Sequence, residues 1–419
     1  MDGSSSQAGV QVSFESLAWA EVDLDAVAWN VHVIRNQLAR GVRLLAAVKS
    51  NGYGHGAVEI ARTCVRHGVQ SLGVARLQEG ITLREAGIVA PVLILGPTPA
   101  DGVAELLHYG LTPTVTGIDD ARRMNARIPE GGNQPVHVKL DTGMGRLGCL
   151  AQPGLDGVLP HPEAQRIAQE IAAIAALPRL SLQGVFTHFA CADGVDAAPT
   201  QGQFRAFQAV LGALHEAGVH HPVRHAANSP GVFYHPETHL DMVRAGIAIY
   251  GYGAPQEAGL RPVMTLKTRI VQLRRVPANT SVSYGMTYRT TAPTTLATIA
   301  LGYGDGYSRA HSSRGQMLVR GCLAPVVGRV CMDLTMLDVS HIPDVVEGDE
   351  VVAFGRQGSA ERSADALAES IGTISHEVLT TLTPRVRRVY KSETNTLATE
   401  KPYDTDYYTD SPRAGIDRR

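Results

Sequence analysis

The chain has 419 residues, 44% hydrophobic and 19% charged, with 38 basic against 40 acidic side chains and a formal net charge of −2. That length provides ample core without help from disulfides or metal. The balanced charge excludes a broad electrostatic grip on nucleic acid or anionic lipid, and no apolar run reaches the length of a membrane span. The segment Met1–Ser16 carries Gly, Ser and Gln where an export signal has a basic start and an apolar stretch, so a cytoplasmic location is expected. Cys64, Cys149, Cys191, Cys322 and Cys331 are odd in number and lack C-x-x-C spacing, so neither a disulfide framework nor a metal site is expected.

Residues 1–17 are read as a flexible lead-in. Apolar, β-branched runs then recur at 44–49, 71–75, 91–95, 111–115, 135–140, 182–188, 223–228 and 242–250. Amphipathic helical segments lie between most of them, for example Ala57–Arg66 and Gln201–Ala217. Near-continuous apolar strands alternating with helices indicate a parallel sheet covered on both faces. Eight such units indicate a (β/α)8 barrel over residues 18–253. An open doubly wound sheet is the alternative, but no G-x-G-x-x-G follows Lys49.

After Gly253 the pattern changes. Residues 262–276, 294–301, 316–330 and 350–354 read as strands separated by Gly, Pro and Asp turns. A helical pair, 364–371 and 375–381, completes a mostly-β domain over 254–390. Residues 391–419 are polar and nearly free of aliphatics, the composition of a disordered tail.

Barrel sites lie at the C-terminal ends of the strands. Strand one ends in Lys49, strand five is followed by Arg146, strand six ends in His188, strand seven in Asn228-Ser229, and strand eight carries Arg244 and Gly246. Any one of these could be a surface or ion-paired residue; together they make a cationic mouth. A lysine in a cationic, partly dry pocket has a lowered pKa and can form a Schiff base. The hydroxyls of Tyr53 and Ser229 and the amides of Gly246 and Ile247 suit a phosphate. A lysine with a phosphate cradle points to pyridoxal phosphate, or to a sugar-phosphate site of the aldolase kind.

The segment AVKSNGYGHG (47–56) resembles the pyridoxal-phosphate signature of the alanine racemases. The resemblance continues through KLDTGMGRLG (139–148), FTHFA (186–190), HAANS (225–229), VRAGIAIYG (243–251), SVSYGMTY (281–288), GYGDGY (302–307) and GRVCMD (328–333), in that order. It implies an isomerase that interconverts L- and D-alanine by a two-base mechanism. It implies Lys49 as the cofactor's covalent attachment point and as one base, with Tyr284 from a partner chain as the other. Tyr53, Asn228, Ser229, Gly246 and Ile247 would hold the cofactor, Arg244 would face its ring nitrogen, and His188 would link Arg244 to Tyr284. Arg146 and the amide of Met332 would bind the substrate carboxylate. Lys139, carbamylated, would orient Arg146. His225, Tyr303 and Asp333 would support the site, and the active unit would be a homodimer with shared sites.

The resemblance breaks at 373–377, which reads TISHE where the family has a tyrosine before the glutamate. His376 takes that place, which opens the substrate range toward serine. Taken alone, Tyr284 reads as a half-buried turn aromatic, His225 as a core histidine and His220-His221 as a solvated pair. Two other functions are compatible with the barrel. One is a fold-related amino-acid decarboxylase, which would pair the ring nitrogen with a carboxylate rather than Arg244. The other is a non-catalytic cofactor carrier, which would need no second domain.

Overall fold

The computed structural model describes residues 16–392 and the backbone of 395–396. The proposed flexible lead-in and polar tail lie almost wholly outside the described residues. Among the described residues no helix is long and apolar enough to cross a membrane.

Eight parallel strands form the first body: Arg43–Ala47, Ser71–Val74, Val92–Pro97, Thr112–Val115, Gln134–Asp141, Leu180–Phe186, Val223–His225 and Met242–Ala245. They correspond to the eight apolar runs. The last pairs with the first, Met242 opposite Arg43 and Ala245 opposite Ala46. Strands seven and eight are joined by Asp241 N–H to Arg224 O at 3.1 Å and Arg244 N–H to Ala227 O at 3.0 Å, which all but closes the barrel. The strands bury both faces because helices cover the outside. Helix Ala57–Arg66 shows why: Ile60, Ala61 and Cys64 share the buried face, while Arg62 pairs with Glu59 on the other.

The second body is a sheet centred on Met264–Val276. The first half of this strand pairs with Glu350–Gln357, the second with Thr294–Ile299, and bulges at 266/267 and 270/272 turn it between partners. Residues 316–330, read as one strand, form a hairpin of Gln316–Val319 and Cys322–Pro325. Arg320 and Gly321 both have positive φ, as a tight two-residue hairpin turn requires.

Residues 18–23 do not belong to the barrel sheet. Ala18–Asp23 pairs antiparallel with 264–268 and parallel with 387–391. Lys267 binds Glu21 and Glu350 across these strands. The described part of the chain therefore passes first through the second sheet and enters the barrel through helix Leu24–Asn36, which Asp23 caps by accepting from Ala26 N–H. Buried Asn30 ties the bodies together, bonding Ile249 O, Arg261 O and Arg261 N–H. Strand Arg387–Ser392 extends into the region read as tail and pairs with Asn395–Thr396.

Candidate active site

The C-terminal ends of the barrel strands surround a cavity of about 430 Å³. Lys49, Tyr53, Lys139, Arg146, His188, Asn228, Ser229, Arg244, Gly246, Ile247 and His376 all line it.

Lys49 leaves strand one into an unusual turn. Ser50, Asn51, Gly52 and Tyr53 are all left-handed, with φ of 53°, 52°, 60° and 51°. Such backbone is costly outside glycine and persists only where its surroundings hold it. Here Ser50 N–H donates to Glu79 at 2.6 Å and Asn51 Oδ1 accepts from Ala57 N–H at 2.9 Å. Gly54 is required because a Cβ there would stand 2.0 Å from Leu379 O. The turn carries Tyr53 inward, where it stacks on Tyr250 at 4.7 Å. Burial lowers the Lys49 pKa, and Arg146 adds to the effect. It raises the Tyr53 phenol to about 12, so Tyr53 acts as a hydrogen-bonding hydroxyl.

Opposite Tyr53, the amides of Gly246 and Ala248 donate to Ser229 Oγ at 2.8 and 3.2 Å. A Cβ at Gly246 would lie 2.5 Å from Tyr53 Oη. Glycine at 246 therefore leaves the phenol its place against this turn. Asn228 caps the helix that begins at Ser229 by accepting from Gly231 N–H at 3.0 Å.

Asp141 builds the Arg146 loop. Its carboxylate accepts from the amides of Gly143, Met144, Gly145 and Arg146 at 2.8–3.0 Å. Burial would raise this carboxyl, but the amides of Gly143, Gly145 and Arg146 outweigh it and hold the pKa below the ordinary value. Lys139 is buried nearby, its Nζ donating to Leu140 O at 2.5 Å. Burial, reinforced by Arg244, lowers it to about 7.

Arg244 is buried; its Nη2 donates to Thr187 O at 2.7 Å and Ala226 O at 2.9 Å and shares these hydrogens with His188 Nδ1 at 3.2 Å, while Nη1 donates to His225 Nδ1 at 3.0 Å. Burial brings its pKa to about 9, so it remains cationic at neutral pH. His188 is held well below the usual imidazole range by burial and then by Arg244. His225 lies fully buried behind the wall. His376 sits across from Tyr53, ring centres 6.0 Å apart, and burial and Lys49 lower its pKa.

Tyr284, Met332 and Asp333 do not reach this cavity. They line a separate concavity of about 650 Å³ on the β body, with Met286 and Leu334. Tyr284 is 70% exposed and Met332 53% exposed, so Tyr284 is not half-buried. Tyr303 adjoins this patch, its N–H donating to Cys331 O at 3.1 Å. It too lies outside the Lys49 cavity. Asp333 pairs with Arg385 at 2.8 Å.

Sequence reasoning assigned no role to Asp141 or Glu79. The available signal was position: Asp141 ends strand five, and Glu79 lies in the first turn of the helix after strand two.

Two family models match consecutive parts of the chain: the alanine racemase N-terminal domain over residues 22–254 and the alanine racemase C-terminal domain over 263–390. An alanine racemase of Desulfosudis oleivorans is 49% identical over 381 residues, covering 89% of this chain and 96% of that protein. The crystal structure of alanine racemase from Bacillus anthracis with bound L-Ala-P superposes with a TM-score of 0.83 at 34% identity, covering 92% of this chain and 98% of that one. That of Bartonella henselae, with covalently bound pyridoxal phosphate, gives 0.79 at 26% identity over 90% and 100%. The chain belongs to the alanine racemase family.

Proposed function

We propose that this chain interconverts L- and D-alanine, holding pyridoxal phosphate at Lys49 and completing its site with a second copy of itself. The observation that carries the reading is the convergence of a low-pKa lysine, a glycine-dependent cradle of hydroxyls and amides, and a buried arginine in one cavity. These residues fit the cofactor. Tyr53, Ser229 and the amides of Gly246 and Ile247 would hold its phosphate, Asn228 would support that cradle, and Arg244 would face its ring nitrogen. When bound, the cofactor supplies the electron sink that makes an α-proton removable.

The chain's own groups do the rest. Arg244 has only donors and cannot deliver a carboxylate's negative charge to the ring, which favours return of the proton to the α-carbon. Arg146 binds the substrate carboxylate, with the amide of Met332 from the partner subunit. One base cannot easily reach both faces of a bound planar centre, and two bases on opposite faces solve this. Lys49 Nζ would move the proton on the D-side. Tyr284 Oη of the partner subunit would move it on the L-side, coupled to Arg244 through His188. The exposed patch holding Tyr284 and Met332 is the surface expected to close over the partner's barrel, with Tyr303 and Asp333 at its edge. Carbamylated by carbon dioxide with loss of a proton, Lys139 would become an anion between Arg146 and Arg244. A lysine lowered to about 7 exists in substantial part as the free amine that this addition needs, where an ordinary lysine is almost wholly ammonium.

His376 in the cavity wall favours a second reading, a range that extends to serine. The deciding experiment is borohydride reduction of the purified protein, peptide mapping, and racemisation assays on alanine and serine. The label belongs on Lys49. A label on another lysine, or carbon dioxide release from the substrate, would end the proposal.

A further inference from the structure

Behind the cavity wall a hydrogen-bonded line crosses the barrel interior. His137 Nδ1 lies 2.9 Å from His225 Nε2, His225 Nδ1 lies 3.0 Å from Arg244 Nη1, and Arg244 Nη2 lies 3.2 Å from His188 Nδ1. His137 comes from strand five and has no part in the mechanism above.

Arg244 sets the direction of every bond in the line, because a guanidinium has donors and no acceptor. His225 Nδ1 must therefore accept. The single proton of a neutral His225 then sits on Nε2 and is donated to His137 Nδ1. His137 must accept at Nδ1, so it carries its own proton on Nε2 and cannot be the imidazolium. Were His137 to donate instead, His225 would need a lone pair on both nitrogens, an imidazolate. The line cannot pass protons, since Arg244 has no lone pair to receive one. What it can transmit is orientation.

The backbone makes room for this arrangement at two points. His137 stands opposite Gly184 on the neighbouring strand, and the pairing slips between Val136 and His137. A Cβ at Gly184 would lie 2.4 Å from His137 Nδ1. Phe186 stacks on His225 at 4.7 Å with an interplanar angle of 6°, which fixes the ring plane but not its rotation within that plane. The bond to His137 supplies the missing constraint.

We infer that His137 is a positioning residue for the active site: as the acceptor of His225 Nε2–H, it keeps the Nδ1 lone pair of His225 aimed at Arg244 and so fixes the guanidinium in the cavity. Gly184 is the residue that lets His137 stand there. The activity arm of the test rests on the racemase reading; the spectroscopic arm does not.

The test uses the full chain with and without pyridoxal phosphate. Long-range proton–nitrogen correlation of the imidazoles should show His137 and His225 as Nε2–H tautomers throughout the range in which an ordinary imidazole titrates. An Nδ1–H form of His225 would overturn the inference whatever the enzyme does. Two variants then separate positioning from packing. Asparagine can place an acceptor where Nδ1 stands, whereas leucine cannot. His137→Leu should lower kcat about ten- to a hundredfold, the usual scale for residues that orient a site from behind. Its KM should change less than about threefold, the pattern of an interaction made at the reacting stage. The absorption band of the bound cofactor should shift in His137→Leu and return, with kcat, in His137→Asn. Gly184→Ala should reproduce the leucine phenotype. If leucine leaves band and kcat unchanged, or asparagine is as impaired as leucine, His137 is an ordinary core histidine. Should His137→Leu not fold, the tautomers and the asparagine variant still decide. Wild-type protein inactive on every amino acid would sink the racemase reading and leave the tautomer result standing.

Discussion

The barrel mouth and the 284/332 patch are built to different degrees of completion. At the mouth the groups are held from within the chain: buried Asp141 fixes the Arg146 loop through its amides, half-buried Glu79 fixes the Lys49 turn through Ser50 N–H, and carbonyls and imidazoles fix Arg244. On the β body, Tyr284 and Met332 stand exposed on a surface with Met286 and Leu334. One region is finished by a single chain. The other presents large apolar side chains to solvent, as surfaces that meet another protein do. On the proposed mechanism the contrast divides the catalytic labour: the electrostatics, which demand burial, are built by one chain, while the second base would arrive only with a second copy.

The sharpest way to break this contrast is complementation. Lys49→Ala and Tyr284→Phe should each lower racemisation by at least about 10²–10⁴, the range for loss of a positioned acid–base group. Co-expressed under different tags, the two mutants would, on the shared-site reading, form a heterodimer with one site doubly damaged and one intact. Activity should return in the purified heterodimer. If it stays as inactive as its parents, Tyr284 does not act across the interface and the exposed patch needs another explanation.

A second test probes the prearranged side. Asp141→Asn keeps the shape but removes the charge that gathers four amides. KM for alanine should rise about tenfold or more as the Arg146 loop loosens, since a hydrogen bond to a charged group is worth roughly 1.5–3 kcal/mol. The same carboxylate contributes to stability against pH. Its folded pKa lies below the ordinary value, so its stabilisation is present above the unfolded pKa and is lost as pH falls through the folded one. Acid unfolding curves of Asp141→Asn should be flatter in that window. Curves that superpose on wild type would show that the carboxylate is not coupled to folding.

Lys139 gives a smaller and more specific effect. Addition of labelled bicarbonate should produce a carbamate carbon signal that Lys139→Ala lacks, and should raise activity when carbon dioxide has first been removed. A bare ammonium at Lys139 in crystals grown with bicarbonate would remove the anion from the account of Arg146.

The smallest effect is expected at His376. His376→Tyr should narrow the preference toward alanine over serine by ~1–3 kcal/mol or less, the scale on which a pocket discriminates one small group. An unchanged ratio of the two kcat/KM values would show that His376 does not shape the substrate space.

Sequence alone determined the barrel, because strands buried on both faces must be apolar along their length and alternate with covering helices. It determined the barrel-mouth residues as well, since chemistry in this fold is confined to strand ends and Lys49, Arg146, His188 and Arg244 stand at or just after them. Tertiary structure decided the rest. Residues 18–23 join the second sheet through partners about 245 and 370 positions away, a pairing that no local pattern encodes. The hairpin at 316–325 depends on two left-handed residues, of which only Gly321 announces itself. Asp141 and Glu79 resemble any other acidic residue until the amides they gather are in place, and His137 resembles any core histidine until Arg244 dictates which nitrogen carries the proton. Composition and periodicity report which residues leave water. The direction of a hydrogen bond is settled only when donors and acceptors from distant strands share one interior.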